Sequence, residues 1–271
     1  IYQDKKENYW IGSLSGIARM TPDGTVETFE KKFKGPKLLQ ATNTYSITED
    51  NEGNIWFATL HEDAACYVYD GNKFFTYSTK DGFSHNLVNS AMRDRQGILW
   101  FGTINGVTKK EGKILSTIPG TEKINVWWIL QDNKSHYWFA SEKGAIKYDG
   151  VSFQYFTKKD GFVDGRVRTI VQDSHRNFWF ATDEGVFSYD SKTFSKIDQA
   201  SGLSSNTIYS LLLDGKYSLW IGTNKGLNRL NIDRYYANRE IDLKQYGKEE
   251  GFIGLECNSN AAYKDKNGHL W

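Results

Sequence analysis

The side chains that could carry chemistry in this 271-residue chain are five histidines, two cysteines and the carboxylates. His61, His85, His136, His175 and His269 are scattered, and no two stand at a spacing that places both on one element as metal ligands. The tightest grouping is His61-Glu62-Asp63, whose plainer reading is a solvated loop. Cys66 and Cys257 form no disulfide framework, and no bridge between them is expected. The sequence holds no Gly-x-Ser-x-Gly elbow, phosphate-binding loop or Cys-x-x-Cys pair. Asp265-Lys266-Asn267-Gly268 has the start of a calcium loop without its distal Glu. These patterns assign no catalytic residue, metal or cofactor, so recognition by large polar and aromatic side chains is the chemistry left to consider.

One stretch that must position such side chains recurs seven times. Its cleanest copy is Asp94-Arg95-Gln96-Gly97-Ile98-Leu99-Trp100-Phe101-Gly102-Thr103. Each motif Asp stands six residues before a Trp, pairing Asp4, Asp50, Asp94, Asp132, Asp173, Asp214 and Asp265 with Trp10, Trp56, Trp100, Trp138, Trp179, Trp220 and Trp271. By subtraction of residue numbers, the Trp recurs every 38 to 51 residues. A period of that length, centred on a short apolar run, predicts an all-β fold: a β-propeller of four-stranded antiparallel blades. Seven blades are expected, six complete and a last one opened by Tyr263 to Trp271, in a single domain over 1–271 cut from a longer protein at both ends.

Val167 to Ile197 reads as one blade. Val167–Gln172, Phe178–Thr182, Val186–Tyr189 and Phe194–Ile197 are strand-like, and Asp, Asn and Gly fill every turn between them. We label these strands A to D. A Gly six residues after the Trp (Gly16, Gly106, Gly144, Gly185, Gly226) suits a positive φ. In four copies the motif Gly is replaced, by Glu7, Ser135, Arg176 and Tyr217. The Trp is expected to pack between adjacent blades and the Asp to cap its turn.

Composition narrows the function classes. A net charge of +1 with 25% charged residues gives no electrostatic footprint for nucleic acid. No apolar run approaches the length of a membrane span.

Aligned on the motif Asp, strand A is small or apolar three and six residues back. Five back it carries Tyr45, Asn89, Trp127, Arg168, Tyr209 and Asn260, which are large, polar or aromatic, and different in each repeat. Equivalent positions on innermost strands ring a propeller's central channel. These six are therefore the candidate ligand-binding residues at a channel mouth, edged by Arg166, His85, Asn206, Asn258 and the loop His61 to Asp63. His136, His175 and His269 fall in the turns after the motif Asp, on what should be the opposite rim.

The Asp-x-x-Gly-x-Leu/Ile-Trp-Phe/Ile-Gly-Thr pattern and the Gly-Leu or Gly-Val after it resemble the two-component regulator propeller family. So do the segments Asp81-Gly82-Phe83, Asp160-Gly161-Phe162, Ser201-Gly202-Leu203 and Glu250-Gly251-Phe252. Phe252 to Asn258 is similar to the segment that introduces that family's last blade. The resemblance implies the periplasmic, ligand-sensing part of a membrane histidine kinase of Bacteroidetes type. It also implies a glycan or other polar small molecule as ligand, and a further propeller, a β-sandwich and membrane and kinase portions in the same protein. A homodimer is a further partner considered. Gly53 to Phe57 also resembles the repeats of streptogramin-lyase propellers, although their Trp-Phe-Thr-Glu is here Trp-Phe-Gly-Thr or Trp-Phe-Ala-Thr. A metal-dependent lyase is thus the alternative function, and a structural interaction propeller the third.

Overall fold

The computed structural model describes residues 1–14, 16–29, 43–215, 217–252, 254, 257–259 and 261–271. Six antiparallel sheets of four strands follow one another, over 2–28, 44–77, 88–117, 126–156, 167–197 and 208–246. Each is built from four consecutive strands in order, so each is a meander and one blade of a β-propeller. After the sixth, Tyr263 and Trp271 exchange both backbone hydrogen bonds, at 3.1 and 2.8 Å, and Lys264 bridges Leu270. That hairpin opens a seventh repeat.

Contacts divide the chain into two compact units, 1–129 and 130–271. The first holds two apolar clusters. In one, Trp10 lies among Phe29, Phe57 and Tyr69, with ring centroids 5.5–5.6 Å apart. In the other, Trp56 lies against Tyr77 and Phe101. In the second unit Trp138 packs on Phe156 of its own blade and on Phe178 of the next, with centroids at 5.2 and 4.2 Å. Trp179 joins a cluster with Ile208, Leu211, Leu219 and Ile221 of blade 6. Sheets packed face to face need such volume between them, and the motif places an indole near the start of strand B in each of these six blades.

The turns explain themselves locally. Thr103, Ser141, Thr182 and Thr223 end strand B and are fully buried. Each hydroxyl donates to the carbonyl of the Gly three residues on, at 2.7–3.0 Å. This accounts for the closing Thr or Ser of the motif. Gly185 has φ 129°, and a Cβ there would stand 2.5 Å from the Ile197 carbonyl oxygen, so no other residue fits without a shift. At the motif turn, Glu7, Ser135 and Arg176 adopt φ of 66°, 67° and 70°. Gly53, Gly97 and Gly268 hold 85°, 84° and 87° at the same place. The turn is thus conserved in shape even where a side chain makes it costly.

Blade 6 departs from the expected pattern. A helix, α1 (Ile232–Asn238), lies between its strands C (Gly226–Asn231) and D (Leu243–Tyr246). Asn231 caps it by accepting from Arg234 N at 3.1 Å. Its two tyrosines reach back to blade 5. Tyr235 packs on Trp179 with ring centroids 5.3 Å apart, and its hydroxyl lies 2.9 Å from Ser188 Oγ. The Tyr236 hydroxyl donates to Asp173 Oδ2 at 2.7 Å. Burial, then this donation to a carboxylate, push the Tyr236 phenol far above its usual pKa.

Candidate functional site

The six-residue spacing from Asp to Trp is a hydrogen bond. In blades 2 and 3, Oδ1 of Asp50 and Asp94 accepts the backbone N–H groups two and four residues on, at 2.8–3.1 Å. Oδ2 accepts the Trp indole N–H, at 2.8 Å in Asp4–Trp10, Asp50–Trp56 and Asp94–Trp100. The distance is 3.0 Å in Asp132–Trp138, 2.7 Å in Asp173–Trp179 and 3.2 Å in Asp265–Trp271. One carboxylate therefore closes the A–B turn and orients the indole that fills the space between sheets. The sequence reading gave the Asp only its turn; the constant offset was the signal that could have shown the second role. His269 Nδ1 also sits 2.9 Å from Asp265 Oδ2, so this histidine belongs to the clasp of its own turn.

At the opposite end of strand A stand the residues expected to bind ligand. In four blades they occupy one backbone feature. Pairing of strands A and B runs Thr44↔Thr59 then Ser46↔Ala58, and Val88↔Thr103 then Ser90↔Gly102. It runs Val167↔Thr182 then Thr169↔Ala181, and Ile208↔Thr223 then Ser210↔Gly222. The residue skipped each time is Tyr45, Asn89, Arg168 or Tyr209. Each is the extra residue of a β-bulge, which bends the strand and re-aims a side chain.

Within 1–129, Tyr45 is half-buried, as is Trp127 on the inner strand of blade 4. Asn89 is 1% exposed. Its amide donates to Asn125 Oδ1 at 2.8 Å and to the Val126 carbonyl at 3.0 Å. This corrects the expectation for Asn89. Its donors are spent joining blade 3 to the strand that follows, because a buried amide must be satisfied by protein. His85 Nδ1 accepts from Leu87 N at 3.0 Å, and His61 Nδ1 from Asp63 N at 3.1 Å.

Within 130–271, Arg168 and Tyr209 meet. The guanidinium carbon of Arg168 lies 4.9 Å from the centre of the Tyr209 ring, and Nη2 donates to Asp183 Oδ1 at 2.6 Å. Only 11% of the Arg168 side chain is exposed, against 45% for Asp183. An aromatic face and a carboxylate thus hold the planar cation in one orientation. Asp183 was not among the predicted residues. It follows the closing Thr of strand B, and the pairing Val167↔Thr182 brings it beside Arg168. A reader who paired the start of strand A with the end of strand B could have found it. Asn206 Oδ1 accepts from Gln199 N at 2.8 Å and shapes the D-to-A loop. Arg166 is half-buried at the end of a similar loop. Asn258 is exposed and lines an apolar groove of about 500 Å³ with Trp220, Cys257 and Trp271, apart from the bulge residues. Asn260 lies outside the described residues.

Among the described residues, no group of three His, Cys, Asp or Glu side chains could hold a metal ion. Both cysteines are free thiols, and burial pushes the pKa of each upward. No described helix is long and apolar enough to cross a membrane.

Comparison with known proteins adds to this geometry. Residues 38–61, 82–105 and 202–225 match the two component regulator propeller family. A search of curated proteins finds no match. The extracellular domain of a hybrid two-component system from B. thetaiotaomicron is a similar solved structure, with a TM-score of 0.72 at 20% identity. The alignment covers all of this chain and 43% of that one, so the chain spans less than half its length. Virginiamycin B lyase from Staphylococcus aureus has a TM-score of 0.65 at 14% identity, with 91% of this chain and 82% of that one covered. PorZ of the type-IX secretion system of Porphyromonas gingivalis has a TM-score of 0.62 at 17% identity, with 81% and 36% covered. At these identities the solved structures share a fold with the chain. Three of its repeats thus match the two component regulator propeller family, and its six four-stranded blades share the propeller fold of these solved structures.

Proposed function

We propose that this chain is the ligand-sensing β-propeller of an extracytoplasmic two-component receptor, located in the periplasm. It binds a polar small molecule or glycan where strands A of blades 5 and 6 begin, at Arg168 and Tyr209. The observation that carries the reading is the β-bulge at which both Arg168 and Tyr209 stand, in contact with one another. The fold breaks its own register at a position whose side chains vary from blade to blade. Tyr209 offers an aromatic surface, and Arg168 a guanidinium fixed by Asp183, which together suit a ligand with both apolar faces and polar edges. Extracellular location and two-component signalling are named for the similar B. thetaiotaomicron protein and support the reading by analogy. A kinase, a membrane segment and further extracytoplasmic domains are the partners this reading implies.

A glycan array followed by titration calorimetry tests it. An Arg168→Ala, Tyr209→Ala double variant should lose at least about tenfold in affinity for any hit, the scale of one lost charge-assisted contact. Unchanged affinity in that variant would remove the rim from the binding site.

A further inference from the structure

The residue after the closing Thr or Ser of strand B differs between the two halves of the chain. In blades 1 to 3 it is Leu14, Leu60 and Ile104, and in blades 4 to 6 it is Glu142, Asp183 and Asn224. The last three all carry a side-chain oxygen acceptor. Their loops are held in one way. Ser141 Oγ accepts from Lys143 N at 3.1 Å, and Thr182 Oγ1 from Glu184 N and Thr223 Oγ1 from Lys225 N at 3.0 Å. With the donation of the same hydroxyl to the glycine carbonyl, this clamps each two-residue loop and fixes its first residue.

All three stand at the end of blades 4 to 6 where Arg168 meets Tyr209. Strand B of blade 4 (Tyr137–Ser141) lies against strand A of blade 5 (Val167–Gln172). Trp138, near its start, packs on Phe178 at the start of strand B of blade 5 (Phe178–Thr182), so the two B strands finish at the same end. Glu142 follows the first of them and Asp183, the partner of Arg168, the second. Asn224 follows Thr223, which pairs with Ile208 beside Tyr209.

Three polar atoms at this end are buried without a hydrogen-bond partner: Glu142 Oε2, Arg168 Nε and Asn224 Oδ1. Asp183 answers the charge of Arg168. Glu142 has no ion pair among the described residues. A carboxylate oxygen shut off from water without a cation is costly, and an ammonium group would give it both charge and donors. Arg168 Nε calls for an acceptor and Asn224 Oδ1 for a donor, and a hydroxyl group is both.

We propose that the ligand of this site is a hydroxylated amine of the amino-sugar class. Glu142 takes its ammonium group, Arg168 and Asn224 its hydroxyls, and Tyr209 an apolar face of its ring. The inference rests on the reading of Arg168 and Tyr209 as a binding site and adds Glu142 and Asn224 to it.

The test is titration calorimetry of the whole chain with three disaccharides of one linkage that differ only at the second ring carbon. These are the glucosamine dimer, its N-acetylated form and cellobiose, in mildly acidic buffer that keeps the amine protonated. The amine should bind at least about tenfold tighter than the other two, the scale of one charge-assisted contact, and Glu142→Gln should remove that preference. No binding of the amine, equal affinity for all three, or a preference that survives Glu142→Gln overturns the proposal. The two readings fail separately. Binding without preference that is lost in the Arg168→Ala, Tyr209→Ala variant leaves the site standing and removes only its amine specificity. Binding that outlives the double variant removes the site and the proposal together. Should Glu142→Gln not fold, the ranking of the three sugars on the unaltered protein decides.

Discussion

The motif Asp and Trp do their work as a pair. In Asp173–Trp179 the carboxylate accepts the indole at 2.7 Å, the Tyr236 hydroxyl at 2.7 Å and the Asn177 backbone N–H at 3.0 Å. A charged acceptor with several donors is among the stronger hydrogen-bonding arrangements available, and this one is buried. Trp179 is fully buried, whereas Trp127 is half-buried on strand A of blade 4. Trp179→Ala should therefore destabilise the protein by about 3–5 kcal/mol, the scale for emptying a large aromatic site. Trp127→Ala should cost much less. Urea denaturation of both variants checks the ranking, and the reverse order would show that Trp127 carries core packing.

Turns and helix α1 are the elements where this chain spends conformational strain. Arg176 holds φ 70° at a place where other repeats use Gly. Its side chain is exposed, so the left-handed backbone is its main liability. Arg176→Gly should raise stability by up to about 1 kcal/mol, the cost of that conformation less the extra freedom Gly has when unfolded. A fall in the urea midpoint would mean that the Arg side chain contributes more than its backbone costs. Helix α1 can be tested through one atom. Tyr236→Phe deletes the donor to Asp173 while keeping the ring, which packs against Trp179 and His175. A loss of about 1.5–3 kcal/mol is expected, as for a hydrogen bond to a charged group. No change in the thermal midpoint would show that α1 is held by its rings alone.

At the scale of the molecule, the fold is shared with the extracellular domain of a two-component system and with a lyase, so the site has to decide the function. No three described His, Cys, Asp or Glu side chains could hold a metal. Added divalent metal should thus leave the thermal midpoint unchanged, since a ligand stabilises only by binding the native state. A clear upward shift with one metal would favour the lyase reading instead.

The sequence by itself determined the repeat, the strand order within a blade, the turn glycines and the large, variable position near the start of strand A, although not that a bulge sits there. All of these are local or periodic, and seven copies of one pattern average out the ambiguity of any single copy. Helix α1, in the repeat whose Trp-to-Trp spacing is 51, was not read from the sequence. Only the tertiary structure decided what each side chain does there. Asn89, Arg168 and Tyr209 share one repeat position, yet Asn89 bonds to Asn125 and Val126 while Arg168 lies on Tyr209 and pairs with Asp183. A side chain's partners come from neighbouring strands and loops 15 to 41 residues away, and a periodic pattern fixes which positions meet without fixing which of them bond.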